Sequence, residues 1–528
     1  MSNNISNITT GFVDLATYDE LEKHMYGGND ATAYFVRETR KSTWFTLVPT
    51  LLNRSAGASN FGNTFTAEIS RSGDYLLHSW LRVTLPALTI SNNTAEEYSV
   101  VWTPNVGHNL IKECELTFND LVAARFDSYH LDFWNQFYLP ASKKVGYNNM
   151  IGNVASLTSP LTSHPLYTIN VPLPFFFSRD SGLALPTAAL PYNQMKIKFH
   201  LREWSDLITV YYLPIGRPPA EANAVTAQVG SDFGNLSVEP RLTNVQVWGN
   251  YALVSNDERK RMACAPRDIL IEQVQTSGIT GFAPQINPKT SYDLFLSHAV
   301  KALFFAVRNK SVPTIWSNYT TTSGKVIGKN LIFNGSDPVG NTSITYENTK
   351  RISNMTSDFY SLVAPFFMAP SIPEHTGYHM YSYCLDIAAL DPMGSTNYGK
   401  LSSVNISPNA SPEAITASSA ENNTELKTFL AETLDASTTT QMVVDSTAGF
   451  LTVGSLTVGT ETLTYQSKDS ITFYGLIRPN PQTRNIDTSV VQSTRNLTDF
   501  NQEYDFILTA VNHNIIRIQG GSLGFPIP

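Results

Sequence analysis

The sequence predicts an all-β protein large enough for two barrel- or sandwich-sized domains, and three observations carry that prediction. Only 15% of the 528 residues are charged, against roughly 25% in an ordinary soluble domain, which leaves few residues for solvated helix faces. Thirty Gly and 29 Pro punctuate short runs of β-branched and aromatic residues, the signature of many strands joined by turns. The clearest run is at Met195, Ile197, Phe199 and Leu201, which alternate with Lys196, Lys198, His200 and Arg202, as a strand with one buried face requires. β domains often reach about 200–250 residues, so two fit this length.

The first predicted element is the exception, a short helix over Thr17–Tyr26. Thr17 and Glu20 have capping-box spacing, Asp19 and Glu20 load the first turn, and Gly27-Gly28 stops it. Phe12, Leu15 and Leu21 mark an apolar side. Strands are predicted at Ala33–Val36, Trp44–Val48, Tyr75–Leu85 and Leu110–Phe118. Tyr129, Phe133, Trp134 and Phe137 instead fit one helical face, a crossover within the first half. Phe175, Phe176 and Phe177 form an aromatic plug before a turn broken by Pro186 and Pro191. Residues 208–229, with Gly216, Pro218 and Pro219, read as an exposed loop. Val245–Val254 resumes the alternation and runs into a charged helix from Ser255 to Met262. Further strands are predicted at Ile269–Val274, Ala299–Val307, Ser343–Glu347, Gly377–Leu385 and Phe506–Ile518, with a dense turn at Asp391–Gly399. Residues 410–425 look disordered, and 438–478 carry short strands around Gly449, Gly454 and Gly459, a small β-module. The expected boundaries are an N-terminal arm over 1–30, a first domain over 31–264, a second over 265–528, and an inserted module over 427–487 before the last strand.

Catalytic and metal chemistry finds little support. A net charge of -8 gives no basic footprint for nucleic acid and no polybasic anchor. Cys114, Cys264 and Cys384 are far apart and without a C-x-x-C, which points to a reduced compartment and no zinc site. No signal peptide or membrane span is expected from the N-terminus or from any apolar run. Gly520-Gly-Ser-Leu-Gly524 matches the nucleophile-elbow pattern, yet too few residues follow for the partner Asp and His, so it reads as a turn. His375 and His379 lack the intervening glutamate of a zinc helix and read as surface histidines. None of the ten histidines is two positions from another, as a metal-binding cupin would need. Asp257–Arg261 mixes both signs and reads as a solvated helix rather than a nucleic-acid contact. No enzyme, metal or cofactor is expected, and no direct contact with nucleic acid.

Eight stretches, in order, carry a family resemblance: SRSGDYLLHSWLRV (70–83), NDLVAARFDSYHLDFW (119–134), PLPFFFSRDSGLALPTAALPYN (172–193), WGNYALVSNDERKRM (248–262), RDILIEQVQT (267–276), SHAVKALFFAVRN (297–309), DPMGSTNYGKL (391–401) and NIIRIQGGSLGFP (514–526). Together they resemble the major capsid proteins of iridoviruses, within the large icosahedral double-stranded DNA viruses. The resemblance covers nearly all of residues 10–408 and 503–528 and departs at about 410–497, where the segment resembles small β-modules of phage virion proteins. It implies a double jelly-roll, two eight-stranded sandwiches side by side, with short helices and the small β-module inserted in the second half. It also implies a homotrimer of pseudo-hexagonal outline that tiles an icosahedral shell, meets neighbouring capsomers and minor capsid proteins, and is assembled in the host cytoplasm.

Self-association is therefore the expected mechanism. Tyr129, Phe133, Trp134, Phe175, Phe176 and Phe177 are the expected contacts between domains or subunits. By resemblance, the N-terminal helix would lie on the inner base, near minor capsid proteins or the internal viral membrane, and the 427–487 module would face outward towards the host surface. The alternative is a virion attachment protein that holds a host glycan with the inserted module.

Overall fold

The alternation at 195–201 becomes one wall of a sandwich. A computed structural model describes the chain apart from residues 1–4, 38, 92–95, 215–224, 227–235, 265, 285–290, 323–325, 328–334, 420–424, 439, 449, 451–453, 494–500 and 526–528. Eight strands build the first sandwich: β1 (Phe45–Gly57), β2 (Thr64–Glu68), β3 (Tyr75–Leu85), β4 (Ile111–Phe118), β5 (Leu121–Asp127), β6 (Tyr167–Pro172), β7 (Met195–Leu201) and β8 (Thr243–Val254). Their neighbours run β5-β4-β7-β2 in one wall and β1-β8-β3-β6 in the other, joined where β1 pairs with β2. This is the jelly-roll order.

Period two decides what each wall buries. Along β7, Met195, Ile197, Phe199 and Leu201 are buried, while Lys196, Lys198 and His200 are half-buried on the outside. Phe199 lies opposite Phe65 of β2, their rings stacked at 4.9 Å. Leu81 and Val83 of β3, with Ile169 and Val171 of β6, close the core from the other wall. Each such side chain contributes roughly 1.5–3 kcal/mol relative to exposure. The β4–β5 hairpin turns on Asn119 and Asp120, both left-handed (φ 48° and 68°), the two-residue turn whose twist matches the strands.

A second sandwich follows: β9 (Arg267–Thr276), β10 (Tyr292–Asp293), β11 (Ala299–Asn309), β12 (Val339–Tyr346), β13 (Thr349–Thr356), β14 (His379–Ser382), β15 (Val404–Ala410) and β16 (Tyr504–Gln519). The walls read β9-β16-β11-β14 and β10-β15-β12-β13, the same order as in the first. Val300, Leu303, Phe305 and Val307 of β11 face Ile344 of β12 and Ile406 of β15 across its core. Gly520 and Gly521, both at positive φ (62° and 81°), turn β16 back on Ser522–Gly524, so the G-x-S-x-G match is a hairpin. The all-β double sandwich is the fold class that the sequence predicted.

The segment between β15 and β16 has its own core. One sheet holds Glu425–Phe429, Ser489–Ser493, Gly454–Val458 and Glu461–Tyr465; a second holds Gln441–Val443, Thr472–Tyr474 and Ser467–Lys468. Leu456, Leu463, Tyr465, Phe473 and Val490 are buried together. Beside them Glu461 takes a two-pronged contact from buried Arg478 (2.7 and 2.8 Å), which holds the carboxyl below its usual range.

Several local expectations fail. Residues 208–229 are not a loop throughout: Ile208–Pro214 pairs with Glu96–Trp102 and buries Ile208, Val210 and Tyr211, because the β-branched and aromatic run outweighs the downstream Gly and Pro. Of the rest of that stretch, only Val225–Thr226 falls within the described residues. Residues 412–418 are helical, since the Ser411 hydroxyl accepts from the Ala414 N–H (3.2 Å) and Pro412 suits the first turn. His379 is buried rather than on the surface: its Nε2 lies 2.8 Å from Asp337 Oδ2 and its ring stacks on Phe305.

Residues 1–45 stand as a unit of their own, with helices α1 (Ile5–Ala16) and α2 (Glu20–Met25). The capping box is two residues beyond the expected one: Asp19 accepts from Leu21 and Glu22, and Glu22 accepts from the Asp19 N–H (2.8 Å). Thr17 instead donates its hydroxyl to the Val13 carbonyl at the end of α1 (2.8 Å). Residues 33–36 form no strand.

Candidate assembly surfaces

Between β5 and β6 the chain leaves the first sandwich and forms α3 (Ser128–Phe137), capped by Asp127, whose carboxylate accepts from the His130 N–H (2.8 Å). One face of α3 lies on the outside of the second sandwich. Phe304 of β11 is its floor, with ring centroids 6.0 Å from Phe133, 5.2 Å from Phe137 and 5.9 Å from Tyr138. Ala302 and Ala306, two positions either side of Phe304, are buried with it, as are Met380 of β14 and Ile507 and Val511 of β16. Small residues beside one large ring leave a socket that α3 fills.

Polar groups set the register of this seam. Asp132, buried on α3, has its Oδ1 2.7 Å from His108 Nδ1 and 3.2 Å from Asn105 Nδ2; its Oδ2 accepts from Ser317 (2.7 Å) and Tyr319 (2.9 Å) of the second half. Trp316 is clasped between two guanidiniums, Arg202 at 3.8 Å and Arg308 at 4.1 Å. Burial brings the Arg202 pKa down to about 10, so it stays charged at neutral pH. Arg179 donates to Glu272 (2.6 Å), which also accepts from fully buried Lys301 (2.6 Å).

The six aromatic residues singled out in the sequence fall into two groups. Tyr129 and Phe133 lie in the seam, where Arg308 donates to the Tyr129 hydroxyl (3.2 Å), and half-buried Trp134 packs against Tyr147 (5.8 Å). Phe175, Phe176 and Phe177 belong to the first core, although Phe176 also lines a cleft with Leu270 and Ile271 of β9. Asp132, Arg202, Trp316 and Lys301 were not singled out. Lone charges in apolar runs, such as Lys301 in SHAVKALFFAV, were the available signal.

His130 is buried at the start of α3, and its Nδ1 has no partner among the described residues. Desolvation, with the Arg179 charge, lowers its pKa to about 3. Between pH 6.5 and about 3 the unfolded chain therefore binds a proton that the folded chain refuses, so stability falls as pH falls, by up to about 1.4 kcal/mol per unit. Replacing His130 by phenylalanine is expected to flatten the dependence of the urea midpoint on pH between 7 and 5. An unchanged slope would place the acid sensitivity elsewhere.

Glu113, Glu115 and His200 gather on the outside of β4 and β7 with ligand atoms within 4.8 Å of one another. Lys198 lies 3.4 Å from Glu115, and His200 Nδ1 is 2.9 Å from the Thr64 hydroxyl, so the group reads as cross-strand pairing.

Two family descriptions match this chain. "Major capsid protein N-terminus" covers residues 33–254 and "Large eukaryotic DNA virus major capsid protein" covers 258–448. The major capsid protein of Costelytra zealandica iridescent virus is 47% identical over 536 positions, with all of both chains covered. The chain belongs to the iridovirus major capsid protein family. The relative from Invertebrate iridescent virus 6 is 45% identical, again over all of both chains, and that from Tipula iridescent virus is 55% identical over 79% of this chain and 91% of its own. Among solved structures, the quasi-atomic model of the PBCV-1 capsid (TM-score 0.63, 18% identity, 94% of this chain and 100% of that one) and the Faustovirus major capsid protein (0.59, 11%, 98% and 97%) share the fold. The capsid protein is thus a structural component of the virion shell, and such a family implies no enzymatic role.

Proposed function

We propose that the capsid protein assembles as a homotrimer, a pseudo-hexagonal capsomer that tiles an icosahedral outer shell and is put together in the host cytoplasm. The supporting observation is the repetition itself: two sandwiches of one topology, held side by side by an aromatic seam in a single chain. Three such chains supply six like units for a closed ring, and closure satisfies exposed edges that would otherwise pair indiscriminately. Neighbouring capsomers and minor capsid proteins are its partners, and α1, with exposed Ile8, Phe12 and Leu15, is the segment offered to minor proteins or the internal membrane. Sedimentation of the purified full-length chain is expected to give three times the 58.4 kDa chain mass. A monomer at micromolar concentration would sink the reading, because obligate interfaces of more than about 2,000 Å² do not come apart there.

The inserted module serves as an outward appendage on this reading. Asn309, where β11 ends, lies opposite Tyr504, where β16 begins, so the chain returning from the module arrives where another long connection departs. Val225–Thr226 pairs with Val326–Ile327, which ties that connection to the long one before β8. Deleting the whole module, residues 425–493, is expected to leave the trimer and its melting temperature nearly unchanged, since Glu461, Arg478 and the module's apolar core satisfy one another. Loss of the trimer on deletion would instead make the module part of the body. A host-glycan site on the module is the second reading, tested by glycan-array binding of the full-length protein against the deletion variant.

A further inference from the structure

Both sandwiches have the same strand order, so each position in one has a counterpart in the other: β3 matches β11, β6 matches β14 and β8 matches β16. In the second sandwich, Phe304 of β11 lies opposite Thr509 of β16 and Met380 of β14, on the outer face, and α3 covers it. The counterpart of Phe304 is Trp80 of β3, which lies opposite Trp248 of β8 and Pro172 of β6. Leu81 and Val83 point into the first core, so Trp80 points out, stacked on Trp248 at 6.2 Å with the ring planes 9° apart. Both tryptophans are half-buried and, among the described residues, neither belongs to a buried apolar cluster.

The missing cover has a counterpart too. α3 lies between the fifth and sixth strands of the first sandwich. Between the fifth and sixth strands of the second, a π-helical turn (Phe359–Val363) runs into α4 (Ala364–Met368). Tyr360, Ala364 and Pro365 bury the inner face of this segment, Tyr360 in the second core and Ala364 in the seam. Its other face leaves Leu362 51%, Val363 43%, Phe366 66% and Phe367 71% exposed, with the two phenylalanine rings edge to face at 5.0 Å. Such an apolar face on a body of this size marks an interface.

We propose that Phe366 and Phe367 of one copy pack on the Trp80–Trp248 pair of the next, repeating between chains what α3 does on Phe304 within one. The occupant is a second copy because the uncovered helix and the uncovered sheet face are the two halves of a contact that the chain already makes once. One half lies on each sandwich, so the contact is head-to-tail and closes into a ring rather than pairing two copies face to face. The flanks differ from those of the internal seam: His78 and Arg82 stand where Ala302 and Ala306 do, so the inter-chain socket is shallower and more polar-rimmed. A polar rim around an aromatic centre is how a surface that must first be soluble is built.

This inference rests on the trimer reading, and the test separates the two. In the full-length chain, Phe366→Glu with Phe367→Glu is expected to convert the trimer to a monomer with an unchanged far-ultraviolet dichroism spectrum. Independently, His78→Cys with Leu362→Cys is expected to give chain-to-chain disulfide products on mild oxidation, mapped by peptide mass spectrometry, whereas neither single variant does. A wild-type monomer would remove the trimer reading itself. A wild-type trimer that survives both glutamates, or that forms no mapped cross-link, would overturn this contact alone. So would a glutamate variant that stays trimeric but loses binding to anionic phospholipid vesicles, which would assign the face to lipid.

Discussion

Replacing Asp132 by alanine is expected to lower the stability of the folded chain by about 3–5 kcal/mol, the usual cost of removing one partner from a buried charged network. The carboxylate accepts from four groups, Asn105 and His108 of the first half and Ser317 and Tyr319 of the second. Truncation leaves these donors buried and unpaired, at roughly 1–3 kcal/mol for each that water cannot reach. Asp132→Asn keeps the volume and one acceptor, and is expected to recover part of the loss. Urea unfolding at pH 7 measures both. A loss below about 1 kcal/mol for the alanine variant would show that packing, and not this network, fixes the two sandwiches together.

Phe304→Ala is expected to cost a similar amount, about 3–5 kcal/mol, through the cavity left under three aromatic rings. Its particular consequence is uncoupling. Phe304 faces the seam, whereas its neighbour Phe305 faces the second core and stacks on His379. Removing Phe304 should split thermal unfolding into two transitions, while Phe305→Ala should lower the second sandwich without separating it from the first. Calorimetry distinguishes these outcomes, and one cooperative transition in the Phe304 variant would mean that the polar clasp around Trp316 suffices to couple the halves.

How legible the molecule was depends on the range of the interaction involved. Strands with one buried face could be read from period two, and β3 and β7 lie where the alternation of Leu81 and Val83, or of Ile197 and Phe199, placed them. The helical face of Tyr129, Phe133 and Phe137 was equally visible, because amphipathic spacing is local. The strand at Ile208–Pro214 was missed, since its pairing with Glu96–Trp102, more than a hundred residues earlier, outweighs the Gly and Pro that follow. The buried place of His379 was missed for the same kind of reason: its partners Asp337 and Ser357 come from other elements.

From the sequence alone came the all-β class, the double jelly-roll by family resemblance, the extra module and the aromatic residues that had to be hidden somewhere. All of these rest on local patterns or on stretches that identify a family. Only the tertiary structure decided where they hide: that Phe133 covers Phe304 while Phe177 fills the first core, and that Phe366 and Phe367 are left uncovered. The physical reason is that periodicity tells a side chain to leave water but names no partner. The partner is chosen by strand order, which brings residues hundreds of positions apart onto one face.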